Sequence, residues 1–345
     1  MKRCIVVIIV LIISFAFVSQ NPYFIITKAD VELKIPKNFT KPIYNFKNNE
    51  LEPKQFVLGR KLFYDPILSK DNSVSCASCH EQFAAFAHID HRLSHGIYAK
   101  IGTRNVPALQ NLIWKDAFMW DGSIEHLEMQ PITPITNPIE MDETLEHVIF
   151  KLKKDSVYAL LFKNIYKDSI INSQRLLKAL TQFTALMISA NSKYDQVMAG
   201  KTQFSKQEAE GLKLFRIKCA ACHAEPLFTN NRYKTNGLSI DTSLNDLGRG
   251  KVTKAKLDDY LFKVPSLRNC ERTYPYMHDG RFRSLVDVLN HYAGIHNAAP
   301  TQQQELNKIG VLNETEKAHI IRFLKTLTDF EFLHDRRFKN PQESN

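Results

Sequence analysis

No long stretch of this chain alternates apolar and polar residues, so a large half-buried sheet is not expected as its scaffold. Dense basic runs are missing as well. The formal charge is +10, yet the Lys and Arg residues are spread over the whole 345-residue chain. That spread argues against a nucleic-acid-binding surface and leaves an acidic protein partner compatible. Cysteine is scarce, with six residues.

What is present is an ordinary globular composition, 44% hydrophobic and 24% charged, long enough for a substantial core in two domains. The opening MKRCIVVIIVLIISFAFVSQ sets Lys2 and Arg3 before an apolar stretch from Ile5 to Val18, and residues 1–20 read as a secretory signal. The rest is then exported. Ala16, Val18 and Ser19 form a weak cleavage pattern, so an uncleaved membrane anchor stays open. Cys4 precedes the apolar stretch, which argues against a lipid-bearing cysteine.

An exported chain with an even cysteine count would ordinarily suggest disulfides. The arrangement argues otherwise. Four cysteines fall in CASCH and CAACH, giving Cys76, Cys79 and His80, then Cys219, Cys222 and His223. Cys-x-x-Cys-His is the attachment sequence of c-type haem, in which both thiols form thioethers and the histidine is the proximal iron ligand. Zinc would need further Cys or His partners, and a redox dithiol has no need of the histidine. Cys270 is left as an unpaired thiol, expected to behave as a small buried apolar residue.

The segments around the motifs suggest two helical domains. SKQE at 205–208 is a capping box that opens a helix with Ala209, Leu212 and Phe215 on one face, running toward Cys219. NETE at 313–316 opens another, with Ile320, Phe323, Leu324 and Leu327 at helical spacing. PITPITNPIE reads as extended loop. The expected organisation is mainly α, with two cytochrome c-like domains that each carry one covalent haem. It runs as signal 1–20, N-terminal extension 21–49, first haem domain 50–198, second haem domain 199–335 and polar tail 336–345.

LGRKLFYDPILSKDNSVSCASCH, RNVPAL, MWDG, FKVPSLRN and YPYMHDGRF together resemble the bacterial di-haem cytochrome c peroxidases and the related MauG-type enzymes, over roughly residues 50 to 330. The resemblance implies a periplasmic enzyme whose N-terminal haem meets peroxide while the C-terminal haem handles electrons. It implies Glu140 as acid/base, Gln130 as an orienting hydrogen-bond partner and Trp120 as electron relay, because Trp120, Gln130, Pro134 and Glu140 keep the family's intervals without a gap. Read alone, Glu140 in NPIEM is more often a surface carboxylate, and Trp120 in MWDG a core anchor beside a turn. Glu125 and Glu128 are rival carboxylates.

The resemblance also implies calcium between the haems, held by Asn105, Thr273 and Pro275, a choice of oxygen donors that suits this ion. His95 falls near the position of a histidine that caps the peroxidatic iron in several members. Counting seven residues from Leu285 places Tyr292 where peroxidases of the family use methionine and MauG-type proteins use tyrosine. The alternative is that Tyr292 only packs, with Met277, His291 or His296 on the iron or the position left open.

The leading functional expectation is reduction of hydrogen peroxide with electrons from a small cytochrome c or cupredoxin, by a chain that stays open to forming a homodimer. A MauG-like oxidase acting on a protein or organic substrate is the second, and a non-enzymatic di-haem electron carrier the third.

Overall fold

Pro53 opens the first long helix, Pro53–Tyr64, from a first-turn position where its missing N–H breaks no helical hydrogen bond, and Asp65–Pro66 stops it. A computed structural model describes residues 25–294, Leu306 and 309–342. The signal segment, Cys4, His296 and the outer ends of the extension and tail lie outside the described residues. Helix Pro53–Tyr64 packs against helix Ser173–Ala185, whose N-cap Asn172 accepts from the Arg175 backbone N–H. A Cβ on Gly59 would run into the Ala179 carbonyl, so glycine sets the closeness of this pair. Phe56 and Phe63 meet Phe183 at ring-centroid distances of 5.4 and 5.1 Å. Each fully buried phenylalanine of this kind is worth roughly 1.5–3 kcal/mol.

The second helix pair repeats the arrangement. Helices Lys206–Lys218 and Glu314–Lys325 both start from complete capping boxes, Ser205 with Glu208 and Asn313 with Glu316, as their sequences predict. Leu212 and Phe215 pack with Ile320, Phe323, Leu324 and Leu327, and Cys270 is buried in the same cluster. A Cβ on Gly211 would meet the His319 carbonyl. The two lead-in helices thus share Gly-x-Lys-Leu-Phe, at 59–63 and 211–215, with the glycine at the helix crossing in each.

Two hydrophobic clusters result, one around the first helix pair and one around the second. The described residues are mainly helical. Their strands amount to Tyr233–Lys234 and Phe262–Lys263, antiparallel, with Tyr233 opposite Lys263. No helix among them is long and apolar enough to cross a membrane.

Two segments differ from the sequence expectation. PITPIT is helical over Ile132–Thr136, because Pro131 serves as N-cap and Pro134 sits in the first turn, where neither breaks a helical hydrogen bond. The segment expected to be a polar tail is anchored. Phe338 is fully buried in the first cluster against Phe56, Phe86 and Phe183. Its carbonyl accepts from the Tyr64 hydroxyl at 2.6 Å, and the Arg337 carbonyl accepts from Arg60 Nη1 at 3.1 Å.

Between the clusters, Arg268 is fully buried and makes a two-pronged pair with Asp195, Nη1 to Oδ2 and Nη2 to Oδ1, each at 2.8 Å. Its Nε donates to the Pro226 carbonyl at 2.9 Å, so the guanidinium is satisfied without water.

Candidate functional site

Both Cys-x-x-Cys-His motifs fold into the same turn. The His80 N–H donates to the Cys76 carbonyl at 3.0 Å and the His223 N–H to the Cys219 carbonyl at 2.9 Å. In each motif the two thiols and the imidazole therefore leave one short loop together. His80 Nδ1 donates to the Phe86 carbonyl at 2.6 Å, and His223 Nδ1 is shared between the Pro265 and Phe228 carbonyls at 3.1 and 3.2 Å. A carbonyl can only accept, so Nδ1 carries the proton and Nε2 keeps its lone pair for a metal. Burial pushes both imidazoles down to about 4, so they are neutral at physiological pH.

Burial also pushes Cys76 and Cys219 up to about 12, and burial together with the nearby Glu140 charge pushes Cys79 up to about 11. Redox dithiols rely on the opposite shift. Among the described residues no group of three or more His, Cys, Asp or Glu side chains is arranged to hold a metal ion, so the zinc reading gains no further ligands there.

The second motif opens on a cavity of about 1260 Å³, walled by Cys219, Cys222, His223 and by apolar side chains of both helices of the second pair. Tyr292 stands in the same wall, near the end of helix Leu285–Ala293. Burial and the neighbouring Cys219 and Cys222 raise its phenol well above the usual tyrosine value. Met277 lines the cavity too, with Asn236 Nδ2 3.5 Å from its sulfur. His291 is turned aside, its Nε2 donating to the Asn236 carbonyl at 2.8 Å.

A second cavity, of about 1070 Å³, lies at the junction of the two clusters. It brings together Trp120, Gln130, Asn105, Thr273 and Pro275, which the sequence scatters over 171 positions (275 − 105 + 1). Trp120 and Met277 line both cavities. Trp120 is fixed at both ends, its Nε1 donating to the Asn105 carbonyl at 2.8 Å and its own carbonyl accepting from the Lys263 N–H at 2.7 Å. Asn105 Nδ2 donates to the Arg92 carbonyl at 3.0 Å, which leaves Oδ1 as the free acceptor. Its neighbour Arg104 bridges Asp121 and Asp246, tying the two halves at this point.

Glu140 is elsewhere, against the loop that follows the first motif. The Ile97 N–H donates to its carbonyl at 2.8 Å, and Cys79 Sγ lies 3.4 Å from the His95 carbonyl on the same loop. Burial raises the Glu140 carboxyl, and one hydrogen bond, from Asn137 Nδ2 at 3.0 Å, partly offsets it. Gln130 makes no such contact; its Nε2 is 3.9 Å from Met119 Sδ. Asn137 is thus the orienting partner that sequence reasoning overlooks, although Asn-Pro-x-Glu at a turn is a readable signal. Pro134 closes the turn by accepting the Met141 N–H at 3.2 Å. The rival Glu128 accepts the Tyr44 hydroxyl at 2.7 Å, and Glu125 is exposed.

His95 belongs to a group. Its ring centroid is 4.2 Å from that of His91, whose Nδ1 is 3.0 Å from His88 Nε2. His95 Nδ1 is buried without a hydrogen-bond partner.

The model of the di-haem cytochrome c peroxidase family matches residues 53–203. The chain belongs to that family and is an oxidoreductase, and membership implies two c-type haems; two half-buried His-bearing turns, one opening on an apolar cavity, fit that group. It is similar to the methylamine utilization protein MauG of Methylorubrum extorquens, 36% identical over 293 residues that cover 81% of this chain and 80% of the other. It is also similar to the cytochrome c551 peroxidase of Nitrosomonas europaea, 33% identical over 276 residues and 79% of each chain. Among solved structures, a MauG-like protein associated with microbial copper homeostasis superposes with a TM-score of 0.80 at 27% identity, covering 90% of this chain and 99% of that one.

Proposed function

We propose that this chain is a periplasmic peroxidase that reduces hydrogen peroxide to water with electrons from a small cytochrome c or cupredoxin. The observation that carries the reading is the Glu140 carboxyl, half-buried beside Cys79 and the His95 loop and held by Asn137. When bound, the haem supplies an iron at which a peroxide O–O bond is cleaved. Glu140 then accepts a proton at one carboxylate oxygen from the near peroxide oxygen and returns it to the far one, so that water leaves. Its raised affinity for protons suits that two-way duty.

In this reading Cys76 and Cys79, and Cys219 and Cys222, hold the two haems, with His80 and His223 as proximal ligands. The first domain, 50–198, is peroxidatic and the second, 199–335, receives electrons. Trp120, in the wall of both cavities, is the relay, and Asn105, Thr273 and Pro275 hold calcium beside it. Presence of a half-buried acid/base argues against a pure electron carrier. A MauG-like oxidase is the second reading, favoured by Tyr292, an oxygen donor in the wall of the His223 cavity.

The test is steady-state peroxide turnover with a reduced small redox protein, for wild type and Glu140→Gln, both checked for two haems. We expect the variant to lose about two to four orders of magnitude in rate. Near-wild-type turnover in a fully loaded variant would remove Glu140 from the chemistry. Haem-loaded wild type that reacts with peroxide yet turns over no donor would favour the oxidase.

A further inference from the structure

The junction cavity carries more positive charge than its own walls neutralise. Lys263 reaches into its wall from the short strand pair, and its Nζ is held by Asp116 Oδ1 at 2.7 Å and the Ala117 carbonyl at 2.6 Å. Lys115 lines the same cavity, and among the described residues no carboxylate or carbonyl hydrogen-bonds its ammonium. It is half-buried and lines the cavity. Burial first, and repulsion from Lys263 second, push Lys115 down to about 8. Two cations in the wall of one partly enclosed cavity, with one carboxylate between them, are unfavourable unless a further anion joins them.

We propose that Lys115, backed by Lys263, docks a carboxylate, and that this carboxylate is a propionate of one of the two haems; the inference rests on the di-haem reading. Asp116 is spent on Lys263, so a single propionate brings the cluster of two lysines and one aspartate to neutrality. The pairing gives Lys115 a role that packing alone does not: its positive charge stabilises the reduced state of the nearby haem, which carries one more electron. Lys115 is a positioning and charge-setting residue and touches no reacting atom.

The experiment is spectroelectrochemical titration of both haems in the full, haem-loaded chain, without substrate, for wild type, Lys115→Met, Lys115→Gln and Lys115→Arg. Pyridine haemochrome content is measured on each. We expect the two neutral variants to shift the reduction equilibrium of one haem about tenfold toward the oxidised form, 59 mV for a one-electron couple. The other haem should stay put, and Lys115→Arg should restore the wild-type value. Two haems with both potentials unchanged in the neutral variants overturn the proposal and leave the di-haem reading intact. Equal shifts at both haems, or a shift seen only after acetate is added, also overturn it, the latter by assigning the site to a free acid. Wild type with fewer than two haems overturns the di-haem reading itself. The glutamine variant keeps a donor and serves as the charge-free test should methionine disturb loading.

Discussion

Tyr292 and His291 are neighbours on one helix with different surroundings. His291 spends its Nε2 proton on the Asn236 carbonyl, whereas the Tyr292 ring enters the wall of the His223 cavity. Met277 is the competitor that geometry retains, since it lines the same space. The ferric spectrum of wild type and Tyr292→Phe separates them. Tyrosine ligation predicts loss of a low-spin signal in the variant and no methionine-to-iron charge-transfer band in the wild type; the reverse pattern assigns the position to Met277. At this scale the sequence is legible where chemistry is local. Cys-x-x-Cys-His states its own purpose in five residues. Lys115 is illegible for the opposite reason, because a lysine's surroundings are set by chain that arrives from elsewhere, whereas Asn137, three residues from its partner Glu140, leaves a local signal that is easily passed over.

Among elements, helices announce themselves by their ends. Ser205 with Glu208 and Asn313 with Glu316 are readable because a cap and its partner lie within one turn. PITPIT misleads because a proline forbids helix only in the interior, and the interior cannot be told from the first turn before the boundaries are known. The buried pair at helix Lys193–Met198 is unreadable too, since Asp195 and Arg268 are far apart in sequence. Burial alone would raise the Asp195 carboxyl, but Arg268 outweighs it and holds the group below its ordinary value. A carboxyl depressed in the folded state stabilises above its unfolded pKa, about 3.9, and that stability drains away as pH falls through the lower folded value. Asp195→Ala should therefore cost about 3–5 kcal/mol near neutral pH, because it strands a buried guanidinium. The deficit should shrink in strong acid. Denaturant unfolding of the haem-loaded chain at pH 7 and below pH 3 is the measurement.

On the scale of the molecule, the two halves meet at Asn105, Arg104 and Trp120, and any ion held there acts on both. Asn105, with its Nδ2 given to the Arg92 carbonyl, lines the cavity together with Thr273 and Pro275. A calcium ion so placed predicts that a chelator lowers peroxide turnover and perturbs the inter-haem spectrum, and that added calcium restores both. Unchanged turnover after exhaustive chelation, with metal content measured, would leave the junction to its protein contacts. Composition and periodicity say nothing of this meeting point; the resemblance alone pointed to it, because carbonyl ligands leave no mark in a side-chain pattern.

The buried Phe338 bears on the order in which the molecule can be completed. Residues 330–338 follow the whole of the second helix pair in the chain, yet they finish the core begun by Phe56 and Phe63. As the chain is made, the second helix pair has all its parts before the first cluster does. The first motif, Cys76 to His80, is then presented while its core still lacks a wall. Closure comes last, sealing the first half only after the rest of the chain has passed.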